Sequence, residues 1–301
     1  MNRRPLLVIA LAFSIVGITL LWISSREDDD LVLRMTELAQ SVTSTTSIPV
    51  ADEFPAIEDS AIRDLDQRTE PAPGEYTVVA TIDHDVGAFT QGFEFDGPEL
   101  FESTGLRGQS TLREIDPATG DVLRSIDLPE DIFGEGLTIV GDEIIQLSWT
   151  SGIAYRWDVD TFDLLGTFSY EGEGWGICDD GTNLIMSNGS ANLTTRRVED
   201  FAVVSTVEVT FNGAPVERLN ELECVDGLVW ANIWQTPLII QIDPADGTVL
   251  TVIDASALRP ASTAEDSGAV LNGIAYDAVT DTYLITGKRW PTAYRVSLGG
   301  V

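Results

Sequence analysis

Gln91-Gly92-Phe93-Glu94-Phe95-Asp96-Gly97 joins a short motif to an apolar run and an Asp-Gly turn. Asp-Gly between alternating apolar residues is a hairpin signal, because both central positions of the tightest turns need positive φ. The pattern, with an Asp-Gly-like turn, returns in Glu135-Gly136-Leu137-Thr138-Ile139-Val140-Gly141 and in Trp175-Gly176-Ile177-Cys178-Asp179-Asp180-Gly181. It returns again in Glu221-Leu222-Glu223-Cys224-Val225-Asp226-Gly227 and in Asn272-Gly273-Ile274-Ala275-Tyr276-Asp277. The second residues of the five copies stand at 92, 136, 176, 222 and 273, spaced 44, 40, 46 and 51 residues apart. Periods of this size with strand-turn-strand content are those of propeller blades. Each copy runs on into two more strand-like segments around turns such as Asp116-Pro117-Ala118-Thr119-Gly120 and Asp243-Pro244-Ala245-Asp246-Gly247. Helix-period stretches are nearly absent. The expected fold is all-β: a five-bladed β-propeller with four short strands per blade.

The last copy offers only three strands, at 273–276, 282–286 and 293–298, while a lone strand-like run, 76–82, precedes the first. That run is expected to supply the missing outer strand of blade five, closing the ring and removing its open edges. The propeller domain is therefore assigned to 74–301. Residues 5–23 are almost wholly apolar, with Arg3 and Arg4 before them and Glu27-Asp28-Asp29-Asp30 after. As a helix this stretch would be roughly 28 Å long, near the thickness of a bilayer core. Residues 1–25 are expected to be a transmembrane signal-anchor with the Arg pair in the cytoplasm and the domain outside. Secretion after signal cleavage is the alternative. Residues 26–73, with 12 acidic and 4 basic residues and a Ser/Thr run at 41–47, are expected to form an acidic, mostly disordered linker with a short helix within 31–38.

Composition excludes several functions. The chain of 301 residues carries 49 Asp+Glu against 17 Lys+Arg, a net charge of -32, of which -26 falls beyond residue 70. Such a charge repels phosphate backbones, so nucleic acid is not an expected partner. The single histidine, His84, cannot build a multi-histidine zinc site. Two cysteines cannot make a disulfide scaffold or a four-cysteine metal site. Cys178 and Cys224 hold equivalent places in consecutive repeats and should face each other, as a disulfide or as buried thiols. Lys288 is the one lysine among the 17 basic residues.

In an antiparallel hairpin the start of the first strand and the end of the second share an edge. Around a central axis, Gln91, Glu135, Trp175, Glu221 and Asn272 should therefore converge with Thr104, Trp149, Asn188, Trp234 and Lys288. Phe89, Phe133 and Asn220 lie just before the first row. An apolar pocket with a few convergent polar groups is the usual form of a ligand site.

These same segments resemble the plant and bacterial type (papaya type) of glutaminyl-peptide cyclotransferase. The resemblance rests on Phe89-Thr90-Gln91-Gly92, Glu102-Ser103-Thr104-Gly105-Leu106-Arg107-Gly108-Gln109-Ser110 and Phe133-Gly134-Glu135-Gly136. Glu173-Gly174-Trp175-Gly176, Leu219-Asn220-Glu221-Leu222-Glu223, Ala231-Asn232-Ile233-Trp234 and Thr286-Gly287-Lys288-Arg289-Trp290-Pro291 continue it in order. It implies a five-bladed propeller that converts the N-terminal glutamine of a peptide or protein substrate to pyroglutamate and releases ammonia. Carried over by motif, the site residues are Phe89, Gln91, Phe133, Glu135, Trp149, Trp175, Asn220, Trp234 and Lys288.

The implied reaction is attack of a free α-amine on the γ-carboxamide of the same residue, so the nucleophile is already tethered. One group can carry the proton from the amine to the departing nitrogen, and Glu135 is expected to be that general acid and base. Lys288 would stabilise the developing oxyanion, and Gln91 and Asn220 would hold the carboxamide or amine. Phe89, Phe133, Trp149, Trp175 and Trp234 would bind the substrate by walling the pocket. No cofactor is needed for this chemistry; the resemblance allows a structural calcium in the channel, with its ligands unknown. The competing readings are a non-catalytic peptide- or protein-binding propeller and a calcium-dependent propeller hydrolase using Glu135, Glu221 and Asn272.

Overall fold

A computed structural model describes residues 34–38 and 72–299. Two strands come first, β1 (Ala72–Pro73) and β2 (Glu75–Asp83), and five antiparallel sheets follow in chain order. Blade one is β3 (Thr90–Asp96), β4 (Glu99–Thr104), β5 (Thr111–Ile115) and β6 (Val122–Asp127). Blade two is β7 (Gly134–Val140), β8 (Glu143–Ser148), β9 (Ile153–Asp158) and β10 (Leu164–Ser169). Blade three is β11 (Ile177–Asp179), β12 (Asn183–Met186), β13 (Asn192–Arg197) and β14 (Val203–Glu208); a small hairpin follows, β15 (Thr210–Phe211) with β16 (Ala214–Pro215). Blade four is β17 (Leu219–Val225), β18 (Leu228–Ile233), β19 (Leu238–Ile242) and β20 (Val249–Asp254). Blade five is β21 (Leu271–Asp277), β22 (Thr282–Gly287) and β23 (Thr292–Gly299), completed from outside by β2.

The closure expected for 76–82 is present. β2 runs antiparallel to β23, pairing Tyr76 with Leu298 and Ile82 with Ala293. The two ends of the propeller thus share one sheet, and the ring has no gap between its first and last blades.

Each blade is one sheet whose two faces must be covered, and the neighbouring blades cover them. The apolar core accordingly divides by interface. Phe101, Leu112, Leu137 and Trp157 pack between blades one and two, and Ile145, Leu147, Ile177 and Phe201 between two and three. Phe93 and Leu100 meet Ala275 and Leu284 where blade five returns to blade one. Inner strands approach so closely that a side chain cannot fit at some repeat glycines. A Cβ on Gly92 would stand 2.3 Å from the Leu137 nitrogen, and one on Gly176 2.1 Å from the Asn220 carbonyl.

Cys178 on β11 and Cys224 on β17 form a disulfide with Cα atoms 5.5 Å apart. Of the two states left open for this pair, the bonded one is present, because these inner strands are direct neighbours. His84 is also structural. Its Nδ1 donates to the Trp290 carbonyl (2.7 Å) and its Nε2 to the Glu102 carboxylate (3.0 Å), so neither ring nitrogen is free for a nucleophile. Burial pushes its pKa down, but the Glu102 charge and these hydrogen bonds outweigh it and leave the imidazole raised.

Two points before the propeller contact blade four or its flank. Residues 34–38 are helical and Met35 is fully buried among Val209, Phe211, Val216 and Leu219. β1 adds to blade four in parallel with β20. Residues 5–23 lie outside the described residues; among those described, no helix is long and apolar enough to cross a membrane.

Candidate active site

The inner strands carry a register shift near their starts: between Thr90 and Gly92 on β3, Gly134 and Leu137 on β7, Leu219 and Leu222 on β17, and Leu271 and Ile274 on β21. Such a bulge places two residues against one and re-aims a side chain. Gln91, Glu135, Asn220 and Asn272 all lie within these shifts. The second row sits just past its strands. Trp149 follows β8, Trp234 follows β18 and Lys288 follows β22. Gln235 and Arg289, directly after two of them, have φ of 63° and 58°. A non-glycine residue in this region is uncommon, and here it marks where the chain turns back over the pocket.

At the centre, the Lys288 ammonium donates to Gln91 Oε1 at 2.7 Å. Asn272 Nδ2 donates to the Thr90 carbonyl at 3.0 Å and reaches the same Gln91 oxygen at 3.4 Å. Lys288 also lies 4.8 Å above the ring centre of Phe89. Burial lowers the Lys288 pKa to about 8, opposed by the Glu135 charge. Glu135 is raised well above its ordinary range, chiefly by burial; Lys288 pulls it down and Glu173 pushes it up. Asn220 is buried with its Oδ1 unpaired by any group among the described residues.

The aromatic side chains form an arc around these groups. Phe89 meets Phe133 edge-on at 6.2 Å, and Phe133 meets Trp149 at 5.6 Å. Trp175 meets Trp234 at 5.4 Å. The two halves are joined by Glu173, whose Oε2 accepts the indole N–H of Trp149 at 2.7 Å and of Trp175 at 2.9 Å. Gly105 leaves room for the arc, since a Cβ there would strike the Phe133 ring at 2.3 Å.

Deeper in the channel are three more carboxyls. Glu94 Oε1 accepts the Ile139 amide at 3.0 Å, Glu221 Oε2 that of Ile274 at 2.9 Å, and Glu223 Oε1 that of Tyr276 at 3.2 Å. Each ties its strand to the next blade or beyond. Burial raises all three, Glu94 to about 8. Calcium would need several such oxygens on one point. Among the described residues no three His, Cys, Asp or Glu side chains form a metal-ligating group, while Glu94 Oε2 and Glu223 Oε2 are buried without a hydrogen-bond partner there. Asn272, one of the ligands a metal-dependent hydrolase would use, turns its amide nitrogen to Thr90 and Gln91, and its Oδ1 has no partner among the described residues.

A family model described as glutamine cyclotransferase matches residues 53–298. The chain belongs to the glutamine cyclotransferase family. It is 38% identical over 228 residues to a glutaminyl-peptide cyclotransferase of Arabidopsis thaliana, across 74% of this chain and 71% of that one. The crystal structure of Myxococcus xanthus glutaminyl cyclase superposes with a TM-score of 0.72 at 39% identity, covering 76% of this chain and 98% of that one.

Within this cyclotransferase fold, the site residues expected from sequence fall into two connected sets. Gln91 and Lys288 bond directly, with Glu135 in their electrostatic field. Phe89, Phe133 and Trp149 form one aromatic wall, and Trp175 and Trp234 the other. Two residues of the site were not singled out for these roles by sequence. Asn272 was placed in the converging row, but its bond to Gln91 depends on the closure of blade five on blade one. Glu173 stands two residues before Trp175 in Glu173-Gly174-Trp175-Gly176; its link to Trp149 depends on where the blade-two turn lies.

Proposed function

We propose that the chain is a glutaminyl-peptide cyclotransferase in which Glu135 moves the proton and Lys288 with Gln91 holds the reacting carboxamide. The observation that carries this reading is the buried Lys288 ammonium bonded to Gln91, with the buried Glu135 carboxyl near enough for each charge to act on the other, inside a wall of aromatic rings. Perturbed partners of this kind in a cleft are what acid–base chemistry near neutral pH requires.

The N-terminal amine of the substrate glutamine attacks its own γ-carboxamide carbon, forming the ring C–N bond. The carbonyl electrons move to oxygen, where the Lys288 ammonium stabilises the charge. Glu135 takes one proton from the attacking nitrogen and gives it to the amide nitrogen. That C–N bond breaks, ammonia leaves, and the product is the pyroglutamyl peptide. The aromatic arc packs the glutamine methylenes and excludes water, favouring the folded-back conformer. Asn220, with its free Oδ1, accepts a hydrogen bond from the substrate amine or carboxamide. Every step uses a side chain of this chain, and none is assigned to a metal.

The test is ammonia release from a glutaminyl-peptide by the full chain, with and without EDTA. Equal release in both supports the assignment. No release returns the chain to a peptide-binding propeller, and release lost only in EDTA favours metal-dependent chemistry.

The location is part of the proposal. Residues 5–23 act as a single-pass anchor, residues 26–73 link it to the propeller, and the domain works outside the cytoplasm. The Arg-before, acid-after charge pattern supports this, as does the Cys178–Cys224 bond, since disulfides persist in oxidising compartments. Carbonate-resistant membrane association is the expected result; a soluble secreted form with a new N-terminus would mean signal cleavage instead.

A further inference from the structure

We infer that Glu173 is a positioning residue for the cyclisation: one of its carboxylate oxygens clamps the indoles of Trp149 and Trp175, setting the shape of the pocket that folds the substrate. This rests on the cyclotransferase reading of the site.

Trp149 and Trp175 come from different blades, just past β8 and just before β11, and neither lies in a strand that fixes its ring. Trp149 is only half-buried and lies in edge contact with Phe133, while Trp175 packs against Trp234. These edge contacts tie each indole to its own half of the wall but do not join the halves. Glu173 joins them, because its Oε2 receives both indole N–H groups, at 2.7 and 2.9 Å. Hydrogen bonds to an ionised acceptor are stronger than neutral ones. The loop that carries Glu173 is itself held, with the Gly174 amide donating to the Trp149 carbonyl at 2.9 Å and the Trp175 amide to the Ser187 carbonyl at 3.1 Å. A Cβ on Gly189 would strike the Trp175 ring at 2.5 Å, so the ring is seated closely from behind as well. The result is one continuous wall, Phe89–Phe133–Trp149 joined through Glu173 to Trp175–Trp234. For a tethered nucleophile most of the rate comes from holding the near-attack conformer, which is the task of such a wall.

The clamp uses a single oxygen, and this makes it testable. Glu173→Gln keeps a carbonyl oxygen able to accept both indoles while removing the charge; Glu173→Ala removes both bonds. Steady-state ammonia release from a glutaminyl-peptide should fall on the order of 10²-fold in kcat/KM for Glu173→Ala, with most of the loss in kcat and the melting temperature little changed. Glu173→Gln should recover most of the rate. Its acid limb should move to lower pH, because a negative charge that pushes Glu135 up is gone. Wild-type kcat in Glu173→Ala, or equal loss in both variants, would overturn the clamp while leaving the cyclotransferase reading in place. An inactive wild-type enzyme would overturn both.

Discussion

Lys288 Nζ and Gln91 Oε1, 197 residues apart in the chain, stand 2.7 Å apart where blade five meets blade one. The contact spans the junction where blade five packs against blade one, so its geometry depends on how the ring closes. It also places the sole lysine of the chain where a compact, rotatable ammonium can serve both Gln91 and a substrate oxygen. Lys288→Arg retains the charge but brings a planar fork into a space lined by Phe89 and Gln91. We expect kcat to fall at least about tenfold in that variant. Lys288→Met should lose on the order of 10²-fold to 10³-fold, the usual effect of removing one oxyanion donor. Unchanged turnover in Lys288→Arg would show that lysine is not specifically required.

Glu135 is the proton carrier of the proposed reaction. Glu135→Gln should reduce kcat by about 10³-fold, within the range set for general acid–base catalysis. Its thermal midpoint should be equal to or above that of the wild type, because a carboxyl whose charged form is penalised by burial has been replaced by a neutral isostere. The comparison needs only ammonia release and a melting curve on the same preparation.

The pH–rate profile should be a bell. Catalysis begins with Glu135 ionised, so the rate rises as pH passes through its raised pKa, well above the ordinary carboxyl range. It falls again near pH 8, where Lys288 loses its proton. Each group's charge acts on the other, so a change at one should shift the other's limb. Lys288→Met should move the acid limb upward, because the cation that lowers Glu135 is removed. A profile flat from pH 5 to 9 would contradict the assignment.

Stability should depend on pH in a direction opposite to that of most acidic proteins. Glu94, Glu135, Glu221 and Glu223 are all raised by burial, Glu94 to about 8, so the folded state holds protons that the unfolded chain releases. Their contribution is fully present below the unfolded carboxyl pKa and is lost as pH rises through the folded values. Raised His84 acts in the same sense through neutral pH. Lys288, lowered to about 8, contributes oppositely, but only between about 8 and its unfolded value of 10.5. The urea midpoint should therefore decline from pH 5 to pH 8.

The Cys178–Cys224 bond closes a loop with a sequence separation of 46. Loop-closure entropy alone sets its stabilisation at about 4 kcal/mol. The Cys178→Ala, Cys224→Ala double variant should be less stable by about 2–4 kcal/mol in urea titrations, with little change in kcat, since both cysteines lie outside the pocket.

Much of the molecule was legible before its structure. The Asp-Gly turns and the recurring x-Gly starts placed the inner hairpins of every blade, and the orphan strand at 76–82 was matched to the incomplete last repeat. Hairpin geometry alone brought Gln91, Glu135, Asn220, Trp149, Trp234 and Lys288 to one face. The state of the cysteines was not legible, because it turns on a Cα separation of 5.5 Å that only the packing of blade three on blade four defines. Nor were the contacts of Glu173, whose two partners lie 24 and 2 residues away and come from different blades.

What the sequence determined by itself is the repeat: which residues turn, which alternate into the sheet, and which types face the axis. These are local properties, recorded within each blade-length segment. The tertiary structure decided the distances between side chains of different blades, and with them the chemistry. Bulges at the inner-strand starts aim Gln91, Glu135 and Asn220, ring closure joins Lys288 to Gln91, and burial of the assembled channel raises Glu135 while lowering Lys288. Desolvation and close contact between distant segments arise only when all five blades are packed, so no single repeat could have shown them.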